Sequence, residues 1–159
     1  MKALVIYDSV FGNTRQIAQA VGSALGSPGN AEVLHVGNVT QDHLIGVDLL
    51  VVGSPTRGFR PTEAVTDFLK KLPSKALRGV RVAAFDTRIA VNDIESTALR
   101  FVVKTGGYAA RPIAERLKKA GGDLIVPPEG FFVEGTEGPL KPGELERAGK
   151  WAEGNLATA

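Results

Sequence analysis

Apolar residues in this chain come in short unbroken runs, and between the runs they recur every three or four positions. Residues 3–7 (ALVIY), 48–52 (DLLVV) and 80–85 (VRVAAF) are runs of the first kind, rich in β-branched side chains. A run without polar alternation fits a strand covered on both faces, as in a parallel sheet. Residues 32–36 make a weaker strand candidate. Residues 124–126 and 131–133 read as two pieces of a fifth strand, interrupted by Pro127-Pro128.

The second pattern marks helices. Ile17, Val21, Ala24 and Leu25 share one helical face that ends near Gly26 and Pro28. Val65, Phe68, Leu69 and Leu72 form another, closed by Pro73, and Ala110, Ile113, Ala114 and Leu117 a third, closed by Gly121-Gly122. A last helix is expected with Leu145, Ala148 and Ala152 inward, after a turn-rich stretch at 135–143. Within residues 89–106, the segment 99–103 fits a short strand or part of a helix, and periodicity does not choose between them. Strands alternating with helices predict an α/β fold: a doubly wound, five-stranded parallel sheet in a three-layer α/β/α domain spanning residues 1–159. Ligands of such sheets bind beyond the carboxyl ends of the strands, which directs attention to the segments after Tyr7, Gly53 and Phe85.

Composition narrows the chemistry. With 43% hydrophobic and 23% charged residues the chain is an ordinary globular one, and its 19 Lys and Arg against 17 Asp and Glu leave a net charge of +2. That balance gives no reason to expect nucleic acid. No cysteine is present, so disulfides, thiolate metal sites and cysteine nucleophiles are excluded. No apolar run has the length of a signal peptide or membrane span, so a cytoplasmic protein without membrane contact is expected. His35 and His43 read as surface or edge residues, and neither metal ligands nor a catalytic residue stand out.

The segment Asp8-Ser9-Val10-Phe11-Gly12-Asn13-Thr14 leads from the first strand into the first helix. Hydroxyls, an amide and a glycine at a helix start serve equally as a cap or as an anion site built from free N–H groups. There is no P-loop lysine and no G-x-G-x-x-G, which removes nucleoside triphosphatases and the usual dinucleotide folds. Gly53-Ser54 stands where a phospho-receiver needs its acceptor Asp, and no G-x-S-x-G elbow exists for a hydrolase.

Ser9-x-x-Gly12-Asn13-Thr14 directly after the first strand resembles the phosphate loop of the flavodoxin family. The stretch Ser54-Pro55-Thr56-Arg57-Gly58-Phe59 is similar to that family's loop beside the flavin ring, and Phe85-Asp86-Thr87-Arg88 stands where its pyrimidine loop stands. The resemblance implies a flavodoxin-like sheet of order 2-1-3-4-5 binding FMN non-covalently, and a carrier moving electrons to a redox partner protein or a small quinone or flavin acceptor. It implies Ser9, Gly12, Asn13 and Thr14 at the phosphate, with Phe11 replacing the second hydroxyl residue of the family pattern. Pro55, Thr56, Arg57, Gly58 and Phe59 would border the ring, with Phe59 as chief aromatic contact and Gly58 as the site of backbone movement. Asp86, Thr87 and Arg88 would hold the pyrimidine edge. Family members that dock to reductases are strongly acidic. Here Arg57, Arg60 and Arg88 are expected to make the mouth partly positive, favouring an anionic reduced flavin. Trp151 and Tyr108 read as packing residues. An NAD(P)H-dependent quinone or flavin reductase and a flavin-free interaction domain are the alternative functions on the same scaffold.

Overall fold

The computed structural model describes residues 1–90, 94, 96–98 and 107–157. The five expected runs become β1 (Ala3–Tyr7), β2 (Ala31–His35), β3 (Leu49–Pro55), β4 (Arg81–Ile89) and an interrupted last position, β5 (Asp123–Leu124) followed by β6 (Glu129–Val133). All pair in parallel in the order β2-β1-β3-β4-β5, and β6 continues the edge that β5 begins, pairing Phe85–Ile89 of β4 with Glu129–Val133. The sheet therefore has six strands in five positions, the two prolines splitting the last. The alternatives for residues 99–103 lie outside the described residues.

Helices α1 (Asn13–Ala24) and α4 (Glu144–Trp151) cover one face; α2 (Glu63–Lys71) and α3 (Ala110–Lys119) cover the other. Strand alternation sorts the core accordingly. Val5, Val51, Ala83 and Phe85 pack with Ile17, Val21 and Trp151, while Leu4, Ile6, Leu50, Val52 and Val82 pack with Val65, Leu69, Ile113 and Leu117. No helix among the described residues is long and apolar enough to cross a membrane.

Two expectations need correction. Strands β3 and β4 do not stop at Val52 and Phe85; they continue to Pro55 and Ile89, because Ser54 pairs with Asp86 and Pro55 with Thr87, and β6 extends the ladder on the far side. Leu145 is not inward but half exposed, since α4 is phased by Glu144, Ala148, Trp151 and Ala152. Trp151 packs edge-on against Phe85 and Phe131, as expected of a packing residue.

Glu144 ties α4 to β6. Its carboxylate accepts from the Phe132 N–H at 2.7 Å and from Nε and Nη2 of Arg147 at 2.8 and 2.7 Å. Burial pushes this carboxyl up, but Arg147 and the Phe132 N–H outweigh burial and hold it below the ordinary glutamate value. A lowered carboxylate pKa stabilises the fold above the unfolded-state value, and that stability is lost as pH falls through the folded one. Glu144→Gln is therefore expected to cost about 1.5–3 kcal/mol at neutral pH, the scale of a hydrogen bond to a charged group. The same variant should flatten the acid limb of a urea-stability profile. An acid limb identical to wild type would show that Glu144 is not part of it.

Candidate functional site

Beyond the carboxyl ends of β1, β3 and β4 lies a cleft of about 340 Å³. Its size falls in the range of about 300–1,000 Å³ usual for small-molecule sites. Four segments converge on it, three of them the ones singled out from sequence.

The first is the β1–α1 connection, which contributes Ser9, Phe11, Asn13 and Thr14. Gly12 is the N-cap of α1 with φ 93°, a left-handed conformation that favours glycine, and it shapes the loop without lining the cleft. Ser9 Oγ accepts from the Gly12 N–H at 3.1 Å and the Arg15 N–H at 3.4 Å. Thr14 Oγ1 lies 2.7 Å from Thr87 Oγ1, joining α1 to β4. The Asn13 amide donates to the Glu137 carbonyl at 3.1 Å. The side chains thus fix the loop, and the N–H groups of Val10, Phe11, Asn13 and Thr14 have no acceptor among the described residues. No acidic residue stands in the first turn of α1. N–H groups without an acceptor at the positive end of a helix dipole suit an anion, and need no lysine.

The loop is braced from behind by a histidine that sequence reading left at the edge. Asp8 Oδ1 accepts from the Ser9 N–H at 2.8 Å and lies 3.0 Å from His35 Nε2. The Gly37 N–H donates to Nδ1 of the same ring, which puts the imidazole proton on Nε2 facing Asp8.

The second segment contributes Pro55, Thr56, Arg57 and Gly58. Arg57 and Arg60 exchange both backbone hydrogen bonds, at 2.8 and 3.0 Å, and the residues between them, Gly58 and Phe59, have φ of 54° and 68°. These are the φ values of a type I′ turn, where a phenylalanine is out of place. Phe59, expected at the ring, does not line this cleft; it lines a separate groove between α2 and α3. Among the described residues, the aromatic lining the cleft is Phe11, 44% exposed, with the Arg57 guanidinium 5.6 Å above its ring.

The third segment is strand, not loop, and alternation splits it. Thr87 faces α1 and lines the cleft; Asp86 faces α3 and is fully buried below it. Asp86 accepts from Arg88 Nε at 2.7 Å, from Arg88 Nη2 at 2.8 Å and from the Ala110 N–H at 2.8 Å. Burial pushes its carboxyl up, and Arg88 and the Ala110 N–H pull against that. The Arg88 guanidinium also stacks 3.8 Å from the Tyr108 ring, whose hydroxyl donates to the Ile89 carbonyl at 3.0 Å, as befits the half-buried packing residue expected there. The expectation of three arginines in one mouth is thus corrected to two. Arg57 and Arg88 line the cleft, Arg88 with its charge paired to Asp86, and Arg60 belongs to the other groove.

A fourth segment was missed. Val133 at the end of β6 and Thr136 in the turn after it line the cleft, and Gly138 of that turn leaves the space taken by the Asn13 amide. Only the clustering of Gly and Pro at 135–143 signals a turn there. Nothing in it points toward the first loop. Val10, Arg88 and Ile89 are the other described residues of the lining.

The sequence of residues 4–126 matches the model of the flavodoxin domain. The chain belongs to the flavodoxin family. Among solved structures it superposes on a flavodoxin from the domain Archaea with a TM-score of 0.74 and 24% identity, over 96% of this chain and 94% of that one. Flavodoxin 1 from Bacillus cereus gives 0.72 at 18% identity, with 96% and 95% covered. The flavodiiron protein from Giardia intestinalis gives 0.71 at 19% identity, covering 96% of this chain but 34% of that larger one. At such identities these likenesses speak for the fold. They fit the sheet order found here for this flavodoxin-family chain.

Proposed function

We propose that this flavodoxin-family protein binds FMN in the cleft and serves as an electron carrier between redox partners. One observation carries the reading: at the N-terminus of α1, residues 10, 11, 13 and 14 line a cleft bordered by residues 55–58, and their N–H groups have no acceptor among the described residues. A phosphate monoester fits the donor set, since every group there donates or is neutral. The family adds that its flavin is typically FMN. When bound, the flavin supplies the redox chemistry and the protein supplies binding and exclusion of water. The N–H groups of residues 10, 11, 13 and 14 hold the phosphate, and the Thr14–Thr87 bond keeps α1 at the depth that serves it. Pro55, Thr56 and Gly58, with Thr87 and Arg88, line the part of the cleft that would receive the ring. Arg57 over Phe11 closes the lip without filling the cleft.

The test compares FMN with riboflavin by quenching of flavin fluorescence. Two charge-assisted hydrogen bonds at about 1.5 kcal/mol each give about 3 kcal/mol, so riboflavin should bind roughly 150-fold more weakly. Thr14→Ala, which deletes the Thr87 bond, should weaken FMN by about 1–2 kcal/mol and leave riboflavin nearly unchanged. Equal affinities for the two flavins would rule out a phosphate at the first loop.

A further inference from the structure

Next to the cleft, on the far side of the 57–60 turn, α2 and α3 enclose a groove of about 490 Å³. Its floor is apolar: Phe59, Pro61, Leu69 and Pro112. Its rim is cationic, with Arg60, Arg111, Arg116 and Lys119 against a single carboxylate among the described residues, Glu115. None of these four cations has a side-chain ion pair or hydrogen bond among the described residues. The exposed acids of α2, Glu63 and Asp67, do not line the groove and are matched on that helix by Lys70 and Lys71. The whole chain carries only +2, so its positive charge is concentrated on this groove.

An apolar centre ringed by like charges that have no counter-ion among the described residues is the anatomy of a surface awaiting a complementary one. The placement of Phe59 has the same sense. A left-handed conformation disfavoured for phenylalanine sets a large apolar side chain in the groove floor one residue from Gly58 at the cleft wall. We infer that the α2–α3 groove is the docking site for an acidic protein partner, which presents carboxylates to Arg60, Arg111, Arg116 and Lys119 around an apolar contact. This rests on the carrier reading, for the groove adjoins the cleft through the 57–60 turn. It gives the carrier a positive docking face, where family members that dock to reductases are strongly acidic. Charge of this kind sets encounter rate and partner choice more than tightness, and it fades with salt.

The experiment uses one probe protein in two charge states: cytochrome c, rich in surface lysine, and the same protein succinylated so that those ammonium groups become carboxylates. Binding to the FMN-loaded protein is measured by calorimetry across a salt series, with FMN affinity measured separately. The succinylated form should bind about tenfold or more tightly than the native form at low salt, the gap closing as salt rises. Arg111→Glu with Arg116→Glu should abolish that preference, whereas Lys118→Glu, on the same helix outside the groove lining, should keep most of it. Phe59→Asn, which tolerates the left-handed backbone, should weaken docking and leave FMN affinity within about twofold, since Phe59 is outside the cleft. Tighter binding of the native form, or equal loss in the Lys118 variant, would overturn the proposal. So would an arginine-dependent affinity for 2-naphthoate without binding of the succinylated protein, which would make the groove a small-anion site. Failure of this protein to bind FMN, with docking of the succinylated protein intact, would instead sink the carrier reading alone.

Discussion

Asp86→Ala is expected to destabilise the fold by about 3–5 kcal/mol, the cost of stripping one partner from a buried ion pair. The carboxylate is fully buried and has three donors, two from Arg88 and one from Ala110. Its loss orphans the first N–H of α3 and leaves a guanidinium that is only 19% exposed without a counter-charge. Arg88 has little freedom to escape, since it is stacked on Tyr108 and passes over Gly130 through space that any β-carbon there would fill. Replacing both partners is a different matter. Asp86→Ala with Arg88→Met removes the stranded charge, and most of the loss should return, because apolar substitutes for a buried pair often come out near neutral. Urea midpoints of the single and double variants decide it. A single variant within about 1 kcal/mol of wild type, the scale of an exposed ion pair, would mean that the pair is solvated and Arg88 free to serve the cleft.

Much of the architecture was legible because strands covered on both faces are written as unbroken apolar runs. Ala3–Tyr7 is the clearest instance, lying between β2 and β3 with four of its five residues buried. The family resemblance pointed to three of the cleft's four described walls, since each lies at the carboxyl end of a strand whose position the runs had fixed. What escaped was decided by partners distant in sequence. Gly53-Ser54-Pro55 reads as a break, yet the ladder to β4 carries β3 through it. The same pairing turned residues 86–88 from a loop into a strand, and strand alternation then sent Asp86 beneath α3 and Thr87 toward α1. Phe59 escaped for a local reason. The two-residue turn puts it in a conformation that few would assign to phenylalanine, and the turn aims its ring away from the cleft. The docking groove escaped with it, because Arg60 and the cations of α3 are some fifty residues apart and only the sheet brings them together.

The core under the cleft makes a second large effect. Phe85→Ala should cost about 3–5 kcal/mol, since the ring is fully buried and its removal leaves a cavity that rigid neighbours cannot close. Those neighbours are Phe131 and Trp151, edge-on with centroids 6.0 and 6.3 Å away. Across the β3–β4 pair the ring lies over Gly53, its register partner, so closely that any β-carbon at position 53 would overlap it. Gly53→Ala should therefore cost about 1–3 kcal/mol or more by overpacking. The two effects share one space and cannot add. With the ring gone, the new methyl enters the cavity, so Gly53→Ala on the Phe85→Ala background should be close to neutral or stabilising. A double-mutant cycle by urea unfolding measures the coupling, expected at about 1–3 kcal/mol for residues in direct contact. Additive losses would show that Gly53 is required for its backbone and not for the ring above it.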